Sequence, residues 1–135
     1  MKVTVTVTIN TNAKKAWEAY TLPQHITKWN FASDDWQCPS AENDLRAGGK
    51  YKARMEAKDG SFGFDFEAIY DEIIPLQKIT YTMGDGRKAT TTFVEQNNST
   101  TVTTVFDAET ENPVDMQQQG WQMILNNYAK HAQTL

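Results

Sequence analysis

The stretch "ENDLRAGGKYKARM" (residues 42–55) admits two readings with different consequences for the fold. Two adjacent glycines followed by a lysine suggest a phosphate-cradling loop that opens a helix. The same residues suit a tight bend that feeds a β-strand. A Walker-type loop needs G-x-x-x-x-G-K-[ST] ahead of a helix whose N-terminus faces the anion. Here Gly48-Gly49-Lys50 runs into Tyr51, where Ser or Thr is required. The following residues alternate, with Tyr51, Ala53, Met55 and Ala57 on one side and charged residues on the other, which is the period of a strand. Glu42 and Asp44 would also oppose a phosphate. The glycines therefore read as structural, allowing positive φ or a bulge where the chain enters a strand.

Working outward, period 2 dominates. Asp59-Gly60 is a hairpin signal, followed by "FGFDFEAIY" with Phe62, Phe64, Phe66 and Tyr70 on one face. Pro75 closes that strand, and "KITYTM" carries Ile79, Tyr81 and Met83. The "GDG" at 84–86 and Asn97-Asn98 turn the chain around two more alternating runs. Connections this short imply an antiparallel, meandering sheet. At the N-terminus, Val3, Val5, Val7 and Ile9 alternate with Thr4, Thr6 and Thr8, all β-branched, as a half-buried strand requires.

Two segments change to helical period. Asn12 is placed to cap a helix in which Ala13, Ala16, Trp17 and Tyr20 share a face. Pro23 suits the first turn of a second, short helix bearing Ile26 and Trp29. Residues 30–43 hold no period and read as an ordered loop with Phe31 and Trp36 tucked in. At the C-terminus, Asn112 and Pro113 read as N-cap and first helical residue, with Asp115 in the first turn. Trp121, Ile124, Leu125, Tyr128, Ala132 and Leu135 then lie on one helical face. Gly120 marks a bend or a close backbone approach within that helix.

Composition bounds the function. At 135 residues the chain suits one domain, residues 1–135. Its net charge of −4 disfavours phosphate backbones and anionic membranes, so neither nucleic acid nor membrane is an expected partner. Lone Cys38 forms no intramolecular disulfide, and "MKVTVTVTIN" lacks the apolar run of a signal peptide, so a cytoplasmic location is expected.

With these elements in place, "DLRAGGKY", "YDEIIPLQKITYT" and "GWQMILNNYAKH", with Trp29 after the second short helix, resemble the homologues of the activator of the heat-shock protein 90 ATPase. The resemblance covers essentially the whole chain. It implies an α+β helix-grip, START-like fold: a curved antiparallel sheet of about six or seven strands wrapped around a long C-terminal helix, with two short helices after the first strand. It also implies kinship with ligand-binding proteins and polyketide cyclases. The separate N-terminal domain of the eukaryotic activators has no counterpart in these residues, which bears on a co-chaperone role.

Candidate chemistry is sparse. His25 and His131 are the only imidazoles, and with one cysteine they fall short of the three converging ligands a metal site needs, so no cofactor or metal is expected. "QCPS" around Cys38 has no nucleophile elbow. Asp65 and Glu67 point the same way from one strand, outward if Phe64 and Phe66 point inward; Asp34 and Asp35 are the remaining acid candidates. The largest constellation is aromatic and apolar: Trp29, Phe31, Trp36, Tyr51, Met55, Phe64, Phe66, Tyr81, Trp121, Leu125 and Tyr128. These residues are either plain core or the lining of a cavity between sheet and C-terminal helix, with Tyr51, Tyr81 and Tyr128 as hydroxyl donors. Three functions follow: a module binding a hydrophobic or aromatic small molecule, a cyclase or hydrolase using the same cavity, or a chaperone-contacting protein.

Overall fold

Strict β-branched alternation makes the first strand, β1 (Lys2–Ile9), bury Val3, Val5 and Ile9 while its threonines face outward. The computed structural model describes all residues, 1–135. After β1, the Asn12 side chain accepts from the Lys15 N–H at 2.9 Å and caps α1 (Ala13–Thr21). Pro23 opens the single-turn α2 (Pro23–Ile26). Residues 30–43, read as a loop, contain two short strands, β2 (Trp36–Gln37) and β3 (Ala41–Asn43). Strands of two and three residues carry too few side chains to show a period.

The central strands follow as expected: β4 (Lys50–Ala57), β5 (Gly63–Ile74), β6 (Lys78–Met83), β7 (Lys88–Gln96) and β8 (Ser99–Asp107). Sheet order is β1-β8-β7-β6-β5-β4-β2, with β3 also paired to β4. Every pairing is antiparallel, and the sheet is seven positions wide because β2 and β3 share one edge. The fold is the α+β helix-grip, START-like architecture, with the long helix α3 (Val114–Ala132) against the inner face.

Some boundaries differ from the sequence reading. Pro113, not Asn112, occupies the N-cap position of α3, and no side chain caps it. Leu135 lies beyond the C-cap residue Gln133 and is exposed. Phe62 precedes β5 and is exposed, because the connection around Asp59-Gly60 spans residues 58–62. A Cβ built at Gly120 meets no atom within 4 Å, so no close approach explains that glycine.

The two glycines of the opening stretch prove structural for different reasons. Gly48 has φ +82°, and a side chain there would meet nothing. Gly49 lacks positive φ, but its Cβ would fall 2.0 Å from the Asp44 carbonyl oxygen. Both hold the loop onto β5: Gly48 N–H donates to the Tyr70 carbonyl at 2.8 Å, and Tyr70 N–H to the Gly49 carbonyl at 3.0 Å. The register of β5 against β6 shifts just beyond, between Tyr70 and Glu72.

Helix α3 covers the edge strand β1. Gln122 accepts from the Thr6 N–H at 3.3 Å and donates to the Thr6 carbonyl at 2.9 Å, as a neighbouring strand would. Gln118, one turn earlier, donates to the Thr4 carbonyl at 3.2 Å. These glutamines satisfy backbone groups that an edge strand otherwise leaves open.

Candidate functional site

Seating α3 on β1 leaves the opposite arm of the curved sheet, β4 to β6, facing the helix across a gap. The gap is a concavity of about 320 Å³ lined by 16 residues, 13 of them hydrophobic. Strands β4, β5 and β6 contribute Tyr51, Met55, Phe64, Phe66, Tyr70, Ile79 and Tyr81. Helix α3 contributes Trp121, Ile124 and Leu125 from successive turns of one face. Trp121 is fixed by stacking on Phe106 of β8, with ring centroids 3.9 Å apart and planes 7° off parallel. Val5, Thr104 and Tyr20 form the wall nearest α1, Trp29 and Asn30 follow α2, and Arg87 stands at the β6–β7 turn.

Strand alternation builds the aromatic wall. Phe66 lies edge-on to Tyr51 and Tyr81, with centroids at 6.0 and 6.1 Å, and Tyr70 stands 6.5 Å from Tyr51 and 6.4 Å from Tyr81. Most polar atoms here are bonded to the protein. Tyr70 donates to Asn43 Oδ1 at 2.6 Å, and Asn43 Nδ2 to the Thr21 carbonyl at 2.7 Å. Tyr20 shares a hydrogen bond with Thr91, which pairs with Thr104 at 2.7 Å. Arg87 is engaged by Asp85 at 2.6 Å and by the Asp107 carbonyl at 3.0 Å.

Two hydroxyls differ. The Tyr51 oxygen accepts from Asn30 Nδ2 at 3.1 Å, while its proton has no protein acceptor. Tyr81 makes no side-chain hydrogen bond although the residue is only 8 % exposed. Since no fully buried side-chain N or O lacks a partner, the Tyr81 oxygen retains accessible surface, and Tyr81 lines the concavity. Burial, chiefly, pushes both phenols well above their usual pKa, so both are O–H donors at neutral pH.

Eight of the expected residues come together at this wall: Trp29, Tyr51, Met55, Phe64, Phe66, Tyr81, Trp121 and Leu125. Three stand outside it. Phe31 is held through its backbone, whose carbonyl accepts from Asn127 Nδ2 at 2.6 Å. Trp36 joins an edge cluster with Phe62 and Phe64, because β2 is the outermost strand. Tyr128 is wholly buried core, and its hydroxyl donates to the Ala16 carbonyl at 2.6 Å instead of entering the gap.

The acidic candidates lie elsewhere. Asp65 and Glu67 are exposed on the outer face of β5, with Lys52 and Arg54 near Asp65 and Lys50 near Glu67. Asp34 and Asp35 are exposed. His25 Nδ1 and His131 Nε2 are 2.9 Å apart, joining α2 to the end of α3, and no three His, Cys, Asp or Glu side chains cluster as metal ligands. Cys38 is buried, and burial raises its thiol pKa. The other eight lining residues, Val5, Tyr20, Asn30, Tyr70, Ile79, Arg87, Thr104 and Ile124, were not among the site residues expected from the sequence. Tyr70 was recoverable, because it continues the alternation of Phe64 and Phe66. Asn30 lies in the stretch without a period.

The geometry agrees with known proteins. An AHSA1-like protein from Aeromonas hydrophila is 35 % identical, superposes with a TM-score of 0.93, and is matched over 99 % of this chain and 93 % of its own. A protein from Cytophaga hutchinsonii is 43 % identical with a TM-score of 0.85, over 98 % of this chain and 92 % of its own. A Chromobacterium violaceum protein shares the fold at 21 % identity, with a TM-score of 0.87 and 98 % of each chain covered. Among curated proteins, none matches. The family model described as "Activator of Hsp90 ATPase homolog 1-like protein" matches residues 10–133, and the chain belongs to that family.

Proposed function

We propose that this chain is a cytoplasmic small-molecule-binding protein that holds a hydrophobic or aromatic ligand between β4–β6 and α3. The carrying observation is the concavity itself: about 320 Å³, with 13 hydrophobic residues among the 16 lining it. That volume and lining suit a small ligand site, mostly apolar with a few placed polar groups. A dry cavity of about 150 Å³ accepts benzene, so this one suits roughly a two-ring compound. Each 100 Å² of apolar surface the ligand buries favours binding by about 2.5 kcal/mol before the costs of association.

The lining favours binding over catalysis. A cyclase or hydrolase needs a general base or nucleophile on the cavity wall. No Asp, Glu, His or Cys lines it, and its phenols are held protonated by burial. The chaperone-contact reading rests on one observation, the ring cluster of Trp36, Phe62 and Phe64, in which Phe62 and Phe64 are exposed.

Thermal shift against two-ring aromatic compounds tests the proposal, with Ile124→Trp as the variant that fills the gap. Stabilisation of the parent that disappears in the variant is the expected result. Absence of binding by every compound would overturn the proposal and leave the exposed ring cluster as the surface to pursue.

A further inference from the structure

We infer that the concavity selects a neutral, largely aromatic molecule that carries a hydrogen-bond acceptor, such as a ketone or ether oxygen, met by the hydroxyls of Tyr51 and Tyr81. The inference rests on the concavity being a binding site and specifies which ligand class it takes. Its starting point is the pair of phenol protons without a protein acceptor in a wall where the other tyrosine hydroxyls are engaged: Tyr20 with Thr91, and Tyr70 with Asn43. Tyr81 is more than nine-tenths buried, and its unpaired hydroxyl oxygen keeps accessible surface. A ligand that fills the gap strips water from these two donors, and an acceptor oxygen on it restores the lost hydrogen bond where an aliphatic hydrogen does not. Both rings flank Phe66, at 6.0 and 6.1 Å, so the two donors serve the same part of the gap.

Charge is the second discriminator. No carboxylate lines the concavity to balance a cation, and the one cation, Arg87, is already bonded to Asp85 and the Asp107 carbonyl. An anion entering the apolar gap loses hydration without gaining an unengaged counter-charge, and a cation does the same. The aromatic faces suit flat rings, and the O–H groups without a protein acceptor suit a ligand acceptor.

The test is titration, by calorimetry or tryptophan fluorescence, of the full chain with naphthalene, 2-acetonaphthone, 2-naphthoate and (2-naphthyl)trimethylammonium. The neutral ketone should bind about tenfold more tightly than naphthalene, and both ions at least about tenfold more weakly than the ketone. Tyr81→Phe should narrow the preference for ketone over naphthalene by about three- to tenfold. Tyr51→Phe should act in the same direction and supplies the reading if Tyr81→Phe folds poorly. Equal binding of naphthalene and ketone, or a preference indifferent to both variants, would overturn the acceptor inference while leaving the binding function intact. An ion that binds most tightly would overturn the neutral class. Failure of all four compounds to bind would overturn the binding function, and this inference with it.

Discussion

The two ends of the sheet's inner face are built from the same kinds of residue and finish differently. At one end, Trp17, Tyr20, Trp29, Phe93 and Tyr128 interlock, with centroids 5.1 to 5.5 Å apart; of these, Tyr20 and Trp29 also line the concavity, where the two ends meet. Three of their polar groups are consumed locally: Trp29 Nε1 donates to the Ala19 carbonyl at 2.8 Å, Tyr128 to that of Ala16, and Tyr20 shares a hydrogen bond with Thr91. At the other end, Tyr51, Phe66, Tyr70 and Tyr81 stand 6.0 to 6.5 Å apart, at strand spacings, with α1 not reaching across them. The cause is the placement of the helices. α1 fills one end, α3 is fastened by glutamines to β1, and no helix packs on the arm β4–β6 as closely as α1 does on β7 or α3 on β1. Aromatic content does not make a core; a second layer within reach does.

Truncation gives the largest effect and the clearest contrast. Phe93→Ala, at the filled end, should cost about 3–5 kcal/mol in chemical denaturation. Phe66→Ala should cost about half of that or less, because Phe66 is only partly buried and already borders a gap. Equal costs would break the comparison. Gly49→Val should cost about 2 kcal/mol or more, since its side chain collides with the Asp44 carbonyl. Gly48→Asn should be nearly tolerated, because Asn adopts positive φ and the space is open. If both glycine variants melt alike, the two-reason account of this loop is wrong.

Enlargement should sort the ends the other way. Ala19→Leu, fully buried beside the interlocked rings, should cost about 1–3 kcal/mol, whereas Ile124→Trp should change stability by less than about 1 kcal/mol. The smallest effect concerns pH. Burial first, then His25 and Lys28, lowers the pKa of His131 below 6.5 in the folded state. The unfolded chain then binds more protons, so stability is full above about pH 6.5 and falls as pH drops through the lowered folded value. His131→Asn should flatten that slope in denaturation curves recorded between pH 7 and 5.

The long elements were legible because each repeats its period over enough residues: the β-branched alternation of β1, the run from Tyr51 to Ala57, and the helical face of Trp121, Leu125 and Tyr128. The site was legible only as far as those faces reach. Tyr128 shares its face with Trp121 and Leu125, yet lies beneath α1, and no local pattern states where one helix ends above another. Trp36 and Asn30 lie where the chain pairs in pieces too short to carry a period. Gln118 and Gln122 read as solvated polar residues, and their bonds to β1 exist only once the edge strand is in place. Of the paired glycines, the sequence indicated a bend; the 2.0 Å approach at Gly49 is set by the fold of the loop.

The central claim is that one end of the inner face receives a ligand and the other does not. It is tested most directly by methyl and aromatic chemical shifts recorded by NMR while 2-acetonaphthone is added. Ile79, Ile124, Leu125 and Tyr81, which line the concavity, should shift, while Ile26, Val102 and Phe93, buried at the filled end, should hold. Shifts confined to exposed Phe62 and its neighbours, or no shifts at saturating probe, would contradict the account.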